Sequence, residues 1–136
     1  MTIDLFVNAI VFGLLGSMVF FPAVVAPTVF KALPPEHAGR FLRQLFPRYY
    51  TFIIVASSVA AVLHWRVPIE AGVLAAVALS TLWVRQSLVP KVNAWRDLEL
   101  AGDKQAGKQF ARGHRLSVAI NMLQMLLLIA VAIRTK

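Results

Sequence analysis

The sequence contains no cysteine, which excludes disulfides, iron–sulfur ligation and thiol catalysis. It is also short of charge. Only 15% of its 136 residues are Asp, Glu, Lys or Arg, against about 25% in an ordinary soluble domain. Acids are scarcest, six against fourteen basic residues. None sits in the middle of a long apolar run, so a carboxylate proton relay through a membrane is not expected. Catalytic signatures are missing as well: there is no Walker loop, no GxSxG elbow, no dinucleotide fingerprint and no HxxxH or HExxH zinc spacing. The reading is therefore non-enzymatic, and no motif implies a resident cofactor.

What the chain does have is apolar length. Hydrophobic residues make up 59% of it and the mean hydropathy is +0.71, which fits a polytopic all-α membrane protein of one domain spanning residues 1–136. Four spanning helices are expected, at about 3–30, 49–65, 69–88 and 116–133. The start, MTIDLFVNAI, carries Asp4 where a cleavable leader would be basic, so it reads as a retained spanning helix. The net charge of +8 is scattered in clusters between the apolar runs. That pattern belongs to a lipid surface rather than to nucleic acid.

Two small-residue stripes, Ala9/Gly13/Ser17 and Gly72/Ala76/Ser80, stand at i, i+4, i+8 and offer close helix approach. Pro22 and Pro27 each free a carbonyl in the first helix, which serves either a packing kink or a broken helix lining a site. Pro34-Pro35-Glu36 opens a short amphipathic helix with Phe41, Leu42, Leu45 and Phe46 on one face. It is expected to lie in the interface until Pro47 breaks it, with Tyr49-Tyr50 in an aromatic belt. Gly102-Asp103 reads as a turn and helix N-cap that starts a second interfacial helix near Lys104. The fold class is thus a four-helix transmembrane bundle with two short cytoplasmic-side interfacial helices.

Charge sets the topology. The 31–48 and 85–115 segments hold eleven Lys/Arg and the remaining connections and ends hold three. Both long segments are therefore expected in the cytoplasm and both termini outside. A weak internal repeat agrees: each half has a proline-ended helix (Pro27, Pro90), a polar segment, an Ala-Gly-basic triplet (Ala38-Gly39-Arg40, Ala106-Gly107-Lys108) and a returning helix.

The candidate site is a polar face on the last helix. His114, Ser117, Asn121 and Gln124 recur at helical spacing inside a lipid-embedded run. With Ser17, Pro22 and Pro27 they would line a cytoplasmic-facing cavity between helices 1 and 4. Interhelical hydrogen bonding is the competing reading. Weaker candidates are His37 and His114 as paired haem ligands, and Met18, Met122 and Met125 as a soft metal set or plain gap-fillers.

Residues 21–50, FPAVVAPTVFKALPPEHAGRFLRQLFPRYY, and the elements LVPKVNAWRD and GHRLSVAINMLQM within 88–125 resemble the bacterial relatives of transmembrane protein 205. The resemblance implies a small four-helix protein of the bacterial inner membrane. It also implies a distant similarity to the four-helix core of copper-resistance D proteins, and it brings no catalytic residues. The expected function is non-enzymatic transport or binding of a small solute or metal, with the bilayer and a homo-oligomer or larger membrane complex as partners. A structural or assembly subunit and a haem- or porphyrin-handling protein are the alternatives.

Overall fold

A computed structural model describes residues 2–135. Among them the chain forms four long helices: α1 (Thr2–Ala32), α2 (Pro35–Leu63), α3 (Pro68–Leu100) and α4 (Lys104–Arg134). Each is long and apolar enough to cross a membrane, which supports a multi-pass membrane protein. The connections are short, so neighbours run antiparallel. α1 packs on α2 and α4, α2 on α3, and α3 on α4, closing a ring around a core of Val7, Val11, Leu14, Met18, Ile53, Leu74, Val77 and Leu128. Large apolar side chains such as Phe6, Phe12, Val62, Leu79 and Leu126 point outward, as hydrocarbon permits.

The expectation of short interfacial helices is corrected. With 29 to 33 residues, each helix is about 45 Å long at 1.5 Å per residue and overruns a hydrocarbon core of about 30 Å. The charged segments are the ends of the spanning helices themselves. α2 starts at Pro35 and runs unbroken through Pro47. Neighbouring groups occupy the backbone there: the Pro47 carbonyl accepts from Thr51 Oγ1 at 2.8 Å and from Arg85 Nε at 3.3 Å. The Arg43 guanidinium ties the segment to α3 through Asp97 and the Asn93 carbonyl. Ala38 and Leu42 seat it against Val29 of α1. Likewise α4 starts at Lys104 rather than near Leu116. Its N-cap is the expected one, with Asp103 Oδ1 accepting from Gln105 N at 2.9 Å and Ala106 N at 3.1 Å. Gly102, at φ 104°, makes the turn that only glycine adopts freely.

The prolines of α1 and α3 do not end those helices either. Pro27 and Pro90 are each preceded by one wide π turn, Phe21–Val25 and Val84–Leu88, and Pro22 lies within the first. Ala26 N–H bonds back to Phe21 O and Val89 N–H to Val84 O, a five-residue reach that absorbs the defect before Pro27 and Pro90. The two halves also match in burial. Val7, Val11, Leu14 and Met18 of α1 answer to Glu70, Leu74, Val77 and Thr81 of α3 at one constant step along the chain.

The small-residue stripes behave differently from expectation. A Cβ placed on Gly13 or Gly72 would meet nothing within 4 Å, so these positions face away from the bundle. Close approach occurs instead between α3 and α4. There Gly113 lies against Val92 and Trp95, and Gly107 against the Glu99 carboxylate.

Candidate functional site at the terminal end of the bundle

The residues expected on α4 part company. Gln124 alone is enclosed, at 5% exposure, and its amide donates to Ser80 Oγ at 2.8 Å and Thr81 Oγ1 at 3.1 Å on α3. Asn121 is half-buried and its amide reaches the Met125 sulfur at 3.8 Å. Ser117 Oγ bonds back to the His114 carbonyl at 2.7 Å. His114 is exposed and stacks on Phe110. Ser17 Oγ bonds back to Leu14 O at 2.8 Å, while Pro22, inside the π turn, and Pro27, just beyond it, are both exposed. Met18 is in the core, Met122 is 55% exposed, and Met125 packs at the core's margin. His37 is exposed in the first turn of α2. The structure thus leaves α4's polar face as two interhelical bonds, both from Gln124, plus local ones. No cavity among the two best formed is lined by it.

Polar groups gather at the opposite end, where the described termini and the α2–α3 turn meet. Asp4 and Asn8 come from the first turns of α1, His64 from the residue capping α2, Glu70 from the first turn of α3, and Arg134 and Thr135 from the end of α4. With Leu5 and Val67 they line a hollow of about 530 Å³. Arg134 Nε donates to Glu70 Oε1 at 2.7 Å. His64 Nε2 lies 3.4 Å from Asp4 Oδ1. Asn8 Nδ2 donates to the Thr135 carbonyl at 3.1 Å, and the Thr135 hydroxyl donates back to Asn8 Oδ1.

Two atoms stand out. His64 and Glu70 are each 4% exposed, and His64 Nδ1 and Glu70 Oε2 are buried without a hydrogen-bond partner. A buried polar atom left unpaired is costly and calls for an explanation. Both residues line the same hollow. The sequence offered only partial signals. Glu70 reads alone as an acid complementing a helix N-terminus, and His64 as an interfacial residue. Their meeting with Arg134 and Asp4 depends on the ring order of the helices.

Residues 10–99 match the sequence profile described as Domain of unknown function (DUF4149). The chain belongs to that family. The match takes in most of α1, all of α2 and nearly all of α3. His64 and Glu70, which carry the unpartnered atoms, lie inside the family segment, whereas Asp4, Asn8, Arg134 and Thr135 lie outside it. No curated protein and no solved structure matches the chain.

Proposed function

We propose that this DUF4149 protein is a non-enzymatic membrane protein that captures a small polar solute or metal ion in the hollow at the terminal end of its bundle. The observation that carries the reading is the pair of buried, unpartnered atoms, His64 Nδ1 and Glu70 Oε2, on residues that line one hollow. The function class is the one expected from sequence, and its place moves from α4's polar face to the opposite end. By the charge distribution the hollow opens on the outer side of the membrane, with both long charged ends in the cytoplasm. The resemblance to the bacterial relatives of transmembrane protein 205 makes that membrane the bacterial inner membrane.

Below the hollow, Val7, Val11, Leu14 and Met18 of α1 fill the bundle with Leu74 and Val77 of α3. A single chain therefore captures rather than conducts, and passage across the bilayer needs further copies or a partner. The outward-facing stripes around Gly13 and Gly72 favour a second reading, a subunit assembled into a larger membrane complex, because small residues let helices of other chains come close. The two roles are compatible.

Thermal melts of the purified chain in mild detergent test the binding role. A panel of metal cations, organic ammonium ions, anions and neutral solutes is added to wild type and to Glu70→Gln. The reading expects at least one solute class to raise the melting temperature of wild type and not of the variant. Equal shifts in both proteins, or none in either, overturn it.

A further inference from the structure

We infer that the outward face of α4's charged end, formed by Lys104, Lys108, Arg112 and Arg115, is a docking surface for an acidic helix of a second, water-soluble protein. It lies at the other end of the bundle from the terminal hollow, on the side that the charge distribution puts in the cytoplasm. It does not depend on what that hollow binds.

The four residues stand at spacings of four, four and three, which gathers them within about 80° of the helix circumference. Ala106 and Gly113, the buried positions of this stretch, fall on the opposite side, and Gly113 lies against Val92 and Trp95 of α3. The stripe is therefore turned away from the bundle, and all four residues are exposed.

Its cations have no acid of their own chain to meet. Of the six acids, Glu36 pairs with Arg40, Asp97 with Arg43 and Glu99 with Arg96. Asp103 caps α4, and Asp4 and Glu70 line the terminal hollow. Among the described residues none of the four cations makes an ion pair. Only Arg115 makes a side-chain hydrogen bond, to the Ala111 carbonyl at 3.3 Å. With its acids spent internally, a second copy of this chain has no acidic face to offer, so the partner is a different molecule.

Depth decides between lipid and protein. From Leu116 to Arg134 the helix rises about 27 Å, close to the hydrocarbon thickness of about 30 Å. The stripe continues beyond it for about 16 Å, whereas the headgroup layer is only about 5–7 Å deep on each side. Arg112 and Arg115 stand at headgroup level, and Lys108 and Lys104 stand above it in water. The stripe cannot fold down onto the lipid. α4 is one unbroken helix, and it packs along α3 as far as Gly107 and the Glu99 carboxylate.

Cations about 6 Å apart along the axis match carboxylates at every fourth residue of a helix lying alongside. A shallow hollow of about 500 Å³ beside Lys104 and Lys108 adds a place for an apolar side chain. Gly107 and Ala111 leave it room, and the carboxylates on its rim, Glu99 and Asp103, are already engaged. Leu98 and Leu100 are exposed in the adjoining last turn of α3. An apolar anchor within a polar rim is the form that protein interfaces take.

Binding of a synthetic helix tests this. The full chain is placed in phosphatidylcholine nanodiscs, with empty nanodiscs as the blank. Fluorescence anisotropy follows a labelled peptide that carries Glu at every fourth residue beside a leucine stripe. Its control is an isomer of the same composition with Glu distributed around the helix. The first peptide should bind more tightly. Lys104→Gln with Lys108→Gln should weaken it about 3–30-fold, while Lys31→Gln with Lys91→Gln, which removes the same charge elsewhere, should leave it unchanged. Lys104→Glu with Lys108→Glu should prefer the same peptide with Lys in place of Glu, which keeps the test readable if one variant folds poorly. Equal affinity for the two isomers, no binding of either, or equal loss in the two Gln variants overturns the inference.

The cysteine-free chain separates protein from lipid. A nitroxide on Lys104→Cys, in vesicles rich in phosphatidylglycerol, should be reached by a water-soluble nickel complex in preference to oxygen. The opposite preference puts the stripe on the membrane and overturns the docking surface. Neither result bears on the melting-temperature panel, so failure here leaves the role of the terminal hollow standing.

Discussion

Adding one carbon to Gly113 should separate α3 from α4, and the size of the effect follows from what that carbon meets. A Cβ there would stand 2.7 Å from Val92 Cγ2 and 2.9 Å from Trp95 Cζ3, well inside contact distance. Neither neighbour is the free end of a flexible chain, so the helices or the indole must shift. Overpacking of this kind costs about 1–3 kcal/mol. Against it stands the helix-propensity gain of Gly→Ala, about 1 kcal/mol. Gly13→Ala has the same gain with nothing within 4 Å of the new carbon. Propensity therefore cancels between the two variants, and Gly113→Ala should be the less stable by about 1–3 kcal/mol. Unfolding from mixed micelles with rising sodium dodecyl sulfate, followed by circular dichroism, measures the difference. Val92→Ala should partly relieve Gly113→Ala, giving a double variant more stable than the two single losses sum to. Equal stabilities for Gly113→Ala and Gly13→Ala would refute the packing argument.

Two further predictions concern the fold. Gln124→Leu should cost no more than about 1 kcal/mol in the same assay, since interhelical hydrogen bonds in membranes average about 0.6 kcal/mol. It orphans no donor, because Ser80 and Thr81 both still donate to the Val77 carbonyl, at 3.1 and 2.7 Å. A loss of several kcal/mol would give the residue a larger role than interhelical bonding. The cysteine-free chain also allows single-cysteine labelling in intact cells. A membrane-impermeant maleimide should reach Trp65→Cys in the α2–α3 turn and not Leu100→Cys beside the α3–α4 turn, both exposed positions. The opposite pattern would invert the topology.

Much of this fold was legible wherever the determinants are local. Pro35 with Glu36 and Asp103 after Gly102 each marked a helix start, because capping depends on neighbours within one turn, but they read as openings of short interfacial helices and they open the long α2 and α4. The apolar runs marked four spans by length alone. The effect of proline was misread. Pro47 and Pro90 look like helix breakers locally, but a wide turn precedes Pro90, and at Pro47 contacts of Arg43, Ala38 and Leu42 with the neighbouring helices hold α2 continuous. That compensation is tertiary and leaves no nearby mark.

The candidate site was less legible for the same reason. Periodicity showed that His114, Ser117, Asn121 and Gln124 share a stripe, but not what the stripe faces. Only Gln124 finds another helix, meeting Ser80 and Thr81. Glu70 and Arg134 lie far apart in sequence, and a lone acid at a helix start has a sufficient local explanation. Polar groups near the two described ends of the chain become the wall of a hollow only when α1 closes against α4 and brings Asn8 to Thr135.

The central claim is that the terminal hollow, and not α4's polar face, is where this protein binds its solute. The most direct measurement is the solute-induced shift in melting temperature of Glu70→Gln and Asn121→Leu side by side with wild type, on protein of matched folded fraction, across the panel of metal cations, organic ammonium ions, anions and neutral solutes. The account predicts that the solute class that stabilises wild type stabilises Asn121→Leu equally and leaves Glu70→Gln unshifted. Loss in Asn121→Leu with retention in Glu70→Gln would contradict it.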